Sequence, residues 1–96
     1  MKSGYILIDM NEVILSGSPG KKVDGIYNKF KIAKDSGKPV IIQNFRAGEY
    51  YDSVYATIFN NADGHYTATI IGKSKLFTLV ILSDDTIYYN WKWWYY

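Results

Sequence analysis

Three pairs of carboxylates lie close enough in the chain to share a site: Asp9 with Glu12, Glu49 with Asp52, and Asp84 with Asp85. Two carboxyls held across a cleft can divide acid and base work, as in glycoside hydrolysis. A chain of 96 residues leaves little room for a deep cleft, however. Asp84-Asp85 falls between two strand-like segments and is explained by turn chemistry; the repeated oxygen spacing of a calcium loop is missing. The one histidine, His65, follows Asn60-Asn61-Ala62-Asp63-Gly64 and reads as a solvated residue at a strand edge. No G-x-S-x-G, H-E-x-x-H, P-loop or dinucleotide fingerprint occurs, and Ser16-Gly17-Ser18-Pro19-Gly20 shares only composition with a phosphate-cradling loop. The expectation is a protein without catalytic residues, metal or cofactor.

Aromatic residues form the stronger pattern. Thr86 to Tyr96 reads T-I-Y-Y-N-W-K-W-W-Y-Y and holds all three tryptophans and four of the ten tyrosines. As a strand, its odd positions Ile87, Tyr89, Trp91, Trp93 and Tyr95 form a wholly apolar or aromatic face. Its even positions, Thr86, Tyr88, Asn90, Lys92, Trp94 and Tyr96, form a mixed one. The odd face is expected to complete a core or a subunit interface, with Trp91 and Trp93 as fillers, while Tyr88, Trp94 and Tyr96 present a surface. Tyr88, Tyr89, Trp91, Trp93, Trp94 and Tyr96 are therefore the candidate binding or interface residues. Rings of this kind also stack on sugars, with Asn60, Asn61 and Asn90 as hydroxyl partners, and on nucleobases. Against nucleic acid stand one arginine, Arg46, beside ten lysines, and acidic residues in every segment. Lys22, Lys29, Lys31 and Lys34 then make a solvated helix face rather than a phosphate-binding one.

These residues must be positioned by one domain, 1–96. A hydrophobic share of 48% with 18% aromatic residues is that of a folded chain. Eleven basic residues against nine acidic give a net charge of +2, too little for a strong overall field. Cysteine is absent, which removes disulfides and thiolate chemistry. Apolar runs such as Val13-Ile14-Leu15 and Val80-Ile81-Leu82 are too short to span a membrane, and Asp9 and Glu12 interrupt any signal-peptide core. A soluble protein made in the cytoplasm is expected.

Tyr5 to Met10 reads as a strand, with Val13-Ile14-Leu15 as a short second piece. Between 21 and 36, Val23, Ile26, Tyr27, Phe30 and Ala33 share one helical stripe, and Gly37 with Pro39 supplies the stop. Strands follow over 39–45, 53–59, 65–71, 76–82 and from Thr86 onward, joined by turn-like segments that suit antiparallel neighbours. This order predicts an α+β fold: one amphipathic helix on a mainly antiparallel, strongly curved sheet of five to six strands. One helix covers only part of such a sheet, and 76–82 is apolar on both faces: Phe77, Leu79 and Ile81 on one, Leu76, Val80 and Leu82 on the other. Curling of the sheet or a homo-oligomer is expected to cover the second face.

G-Y-I-L-I-D-M-N at Gly4 to Asn11, V-D-G-I-Y-N-K-F at Val23 to Phe30, and S-G-K-P-V-I-I-Q-N-F at Ser36 to Phe45 share a rhythm. This first half resembles short proteins from the structural gene regions of tailed phages and prophages of Gram-positive bacteria; the aromatic ending does not belong to that pattern. The resemblance implies a virion-associated or accessory role, host cytoplasm as the place of synthesis, and no catalytic residues. The expected function is a phage or prophage structural or interaction module that self-associates through its aromatic last strand, with another virion or host protein as a further partner. The alternatives are a carbohydrate-binding module for host-surface glycans and an accessory protein that blocks a host defence by holding a nucleotide messenger or a host protein.

Overall fold

The computed structural model describes residues 4–11, 13–15, 20–61 and 63–93. In chain order the elements are β1 (Ile6–Asp9), β2 (Ile14–Leu15), β3 (Lys21–Lys22), α1 (Ile26–Ser36), β4 (Val40–Ala47), β5 (Tyr50–Asn60), β6 (Tyr66–Ile71), β7 (Lys75–Ile81) and β8 (Thr86–Trp93). They form one sheet in the order β1-β4-β5-β6-β7-β8-β3, with β2 also on β4. β1 and β2 run parallel to β4, and the remaining pairs are antiparallel. The sheet curls into a half-barrel, and α1 lies across its concave side against β5, β6 and β7. The α+β expectation holds, but there are eight strands rather than five or six. The additional strands are β2, the short piece expected at Val13-Ile14-Leu15, and β3, whose two residues pair with a strand far along the chain.

β3 also corrects the start of the helix. Periodicity extends the stripe back to Val23, yet Lys21 and Lys22 are extended and pair with Ile87 and Thr86. The helix begins only after Gly25, whose φ of 81° is a left-handed value that glycine adopts without penalty. Gly25 brings no capping side chain; Asp85, in the turn between β7 and β8, supplies it instead. Its carboxylate accepts the Gly25 and Tyr27 amides, both at 3.0 Å, and its carbonyl accepts the Val23 amide at 2.9 Å. Four orphan donors open every helix, and here part of the set is satisfied from 60 residues downstream. Two amide hydrogen bonds hold the Asp85 carboxyl below its usual value. Asp84 does the local turn work, accepting the Thr86 amide at 3.1 Å.

The core fills the concavity in rows set by strand register. Val40, Ala56, Ile70 and Phe77 lie side by side across β4 to β7. Ile58, Ala68, Leu79 and Tyr89 form the next row, and Tyr66, Ile81 and Ile87 the third. Ile26, Phe30 and Ala33 of α1 are buried with them, and the small side chain of Ala68 makes room in the middle row. No helix among the described residues is long and apolar enough to cross a membrane. On β7 the Phe77, Leu79, Ile81 face is buried, while Leu76, Val80 and Leu82 are half-buried on the convex side.

β4 and β5 both break their alternation at one place. Ile42 and Val54 face inward as a pair, and so do Phe45 and Tyr51, three residues on in each strand. The slip falls at Asn44, which has a φ of 57°, and opposite it at Asp52. Because both strands slip, the pairing resumes unchanged beyond them. The pocket of polar groups this creates outside the sheet is self-satisfied. Asp9 Oδ1 accepts the Asn11 amide and Asn44 Nδ2, Asn44 Oδ1 accepts the Tyr50 hydroxyl, and Arg46 donates to the Asn11 carbonyl while stacking on Tyr50. These bonds fasten β1 to β4 across the irregularity.

Candidate functional site

Along the odd face of β8 burial decays steadily. Ile87 is buried and Tyr89 packs against the core, but Trp91 is 39% exposed and Trp93 54%. Trp91 pairs with fully buried Phe77, so it stands on the same inner face one strand further out. It emerges because β3 shields β8 only at Thr86 and Ile87; among the described residues no strand lies beyond that point. Within the single chain, Trp91 and Trp93 therefore do not fill the core, contrary to the first of their two expected roles.

The rings are nevertheless held in place. Trp91 and Trp93 meet edge to face, with centroids 5.1 Å apart and planes at 80°. Lys75, opposite Trp93 in the register, lays its ammonium 4.3 Å from the Trp91 centroid and 5.2 Å from that of Trp93. Only 13% of the Lys75 side chain is exposed, and Nζ reaches Glu49 Oε2 at 3.4 Å. Glu49 Oε1 accepts the Tyr51 hydroxyl at 2.7 Å. That hydrogen bond first, then Lys75, lowers the Glu49 carboxyl below its usual value, while burial and the same carboxylate raise the Tyr51 phenol. Beneath this cluster Tyr51, Phe45 and Phe77 form an aromatic floor, with Phe45 and Phe77 edge to face at 5.1 Å. The end of the half-barrel away from the helix thus carries two exposed indoles over a cation, a carboxylate and a phenol. The rings offer faces and edges to a partner, and the polar groups beneath fix their orientation.

On the even face Tyr88 is exposed and packs close to Gly20, where an added Cβ would lie 2.7 Å from the Tyr88 ring. Asn90 turns its side-chain oxygen onto the Trp91 amide at 2.8 Å, and with Lys92, Leu76 and Thr78 it borders a shallow hollow of about 180 Å³. Trp94, Tyr95 and Tyr96 lie outside the described residues, so the surface role expected of Trp94 and Tyr96 concerns residues beyond this description. Glu49 and Asp52 do not share a site: Glu49 points to the Lys75 cluster while Asp52 faces Tyr50 on the other side of the sheet, and Glu12, expected beside Asp9, lies outside the described residues. His65 borders a hollow of about 150 Å³ with Tyr27, Asn60, Asn61 and Gly64, and its Nδ1 is buried without a partner among the described residues. Lys31 pairs with Asp35 at 3.3 Å along the helix.

Lys75 and Tyr51 were not among the residues singled out by sequence, and Glu49 was considered only as a carboxylate beside Asp52. Lys75 could have been found: with Ile81 placed opposite Ile87 across the Asp84-Asp85 turn, counting six pairs outward sets Lys75 opposite Trp93. The place of Glu49 beside Lys75 could not, because it arrives from the turn between β4 and β5, carried over by the curl of the sheet. No family of known proteins, no curated protein and no solved structure matches this chain.

Proposed function

We propose that the chain is an interaction module without catalytic residues that self-associates through the aromatic end of β8, in the setting of a phage or prophage particle or its accessory proteins. The observation that carries this is the position of Trp91 and Trp93, half out of the core yet locked to each other and to Lys75. Exposed indoles on a rigid strand supply large contact area at small entropic cost, the usual composition of an interface centre. Lys75, Glu49 and Tyr51 satisfy one another, an arrangement that steadies rings rather than readying a proton. The phage setting rests on the resemblance of the first half alone. The test is sedimentation velocity on the full chain and on a Trp91→Ser, Trp93→Ser double variant whose fold is checked by circular dichroism. An oligomer that dissociates in the variant supports the proposal; an assembly state that does not change refutes it.

A second reading, binding of host-surface glycans, is favoured by the hydrogen-bonding groups of Lys75 and Glu49 beside the Trp93 ring. Titration with Gram-positive cell-wall polysaccharide should then shift tryptophan emission, and an unchanged spectrum at saturating polysaccharide disposes of it. Mass spectrometry of purified particles separates a virion component from an accessory protein.

A further inference from the structure

We propose that a second copy of this chain docks on the convex face of the sheet, in a twofold pair that seats Tyr55 of each copy in a hollow of the other. Strand register defines this face. Leu7 pairs with Ile41, Ile41 with Tyr55, and Ile71 with Leu76. Continuing the Ala56–Ile70 register by one step sets Ile71 beside Tyr55. An apolar stripe therefore crosses β1, β4, β5, β6 and β7 on the side away from the helix. Next to it runs a neutral row, Thr57, Thr69, Thr78 and Asn90. The first charge met along either row is Lys92, at the β8 margin.

Two features in the middle of this face complement each other. Tyr55 is 75% exposed and Ile71 64%, the highest values among the large apolar side chains described. Between Tyr55, Thr57, Thr69 and Ile71 lies a hollow of about 280 Å³. A projecting ring and a receiving hollow side by side on β5 and β6 are what an isologous contact requires, because a twofold axis through that point brings each ring over the partner's hollow. The neutrality of the two rows points the same way: along them two copies meet with no like-charge repulsion.

The contact is a small one. At about 4.8 Å between strands, β4 to β7 span about 14 Å, and the curl bends the outer strands away, so the contact covers on the order of 400 Å² per copy, about half the standard size. A contact of that size falls in the weak, transient class, so the pair is sought in the micromolar range. The surface is separate from the Trp91–Trp93 end, which lies on the concave side, and does not depend on the function proposed above.

The test is sedimentation velocity across the micromolar range on the Trp91→Ser, Trp93→Ser chain, in which association through the β8 end is removed, with and without Tyr55→Glu. The expected result is a concentration-dependent dimer that Tyr55→Glu abolishes. Tyr55 is exposed, so its variant keeps the fold, which circular dichroism verifies. The chain has no cysteine of its own, so Thr57→Cys should give a disulfide-linked dimer under mild oxidation, lost when Tyr55→Glu is added. A monomer throughout the range overturns the proposal. So does a dimer that survives Tyr55→Glu in that Trp91→Ser, Trp93→Ser background.

Discussion

Replacing Lys75 by methionine keeps most of the apolar stem of the side chain and removes the terminal ammonium with its charge. The single variant loses an ion pair and two ring contacts but also the cost of holding an ammonium out of water, so its net effect on stability should stay within about 1 kcal/mol. The informative quantity is the coupling between Lys75 and Trp91 in a double-mutant cycle with Trp91→Leu. Cation–π contacts are worth about 0.5–1 kcal/mol at exposed sites and about 2 kcal/mol when desolvated. Nζ lies 4.3 Å from the Trp91 centroid and the Lys75 side chain is 13% exposed, which places this one toward the upper end. Glu49 is 41% exposed, so its pairing with Lys75 should contribute only about 0.2–1 kcal/mol. The expected coupling to Trp91 is therefore about 1–2 kcal/mol, and that to Trp93, at 5.2 Å, is smaller. Urea unfolding followed by circular dichroism measures it. With an m-value of about 1 kcal/mol per molar, the non-additive part of the midpoint shift is on the order of 1 M. Raising the salt should weaken the Glu49 coupling and leave the ring coupling largely in place. Additivity of Lys75→Met and Trp91→Leu within about 0.3 kcal/mol would show that the ammonium does not hold the rings.

Phe77, fully buried beneath the Trp91–Lys75 cluster, should lose about 3–5 kcal/mol on truncation to alanine, a large part of the stability of so small a domain; a loss under about 1.5 kcal/mol in urea would contradict its place in the core. Gly72→Ala puts a Cβ 2.6 Å from the Tyr51 hydroxyl, 3.0 Å from Phe77 and 3.2 Å from the Lys75 carbonyl. Overpacking of this kind costs about 1–3 kcal/mol, and an unchanged urea midpoint would show that the neighbours yield freely. The Asp85 carboxyl is lowered in the folded chain from an ordinary value of 3.8. The folded state thus binds this proton less readily than the unfolded one, and the stabilisation is complete above the ordinary value and lost as pH falls through the lowered one. Asp85→Asn should flatten that acid limb of a midpoint-against-pH curve, and an unaltered limb would remove Asp85 as the cap.

Much of the fold was legible because its signals are local. The helical stripe Ile26, Phe30 and Ala33 is buried, the Gly37 stop holds, and every long strand lies within a few residues of where β-formers and turn residues put it. What escaped was set by partners distant in the chain. Lys21 and Lys22 carry no strand signal of their own and become β3 because Thr86 and Ile87 are there to pair with. The helix start depends on Asp85, whose neighbours in sequence suggest only a turn. The slip at Asn44 and Asp52, which turns Phe45 and Tyr51 inward, follows no alternation either strand shows alone.

The aromatic ending divides along the same line. Sequence by itself determined that Thr86 onward is a strand with one uniformly apolar face, since side-chain alternation has a period of two wherever the strand lies. Whether that face is core or surface was decided by the tertiary structure. β3 covers β8 no further than Ile87, the row that begins at Val40 runs out at the sheet margin, and the same face passes from buried Ile87 to exposed Trp93 within six residues. The physical reason is that burial belongs to a residue's neighbours in space, and those of Trp91 and Trp93, Lys75 and Glu49, are brought to them by a register and a curl that no single segment encodes.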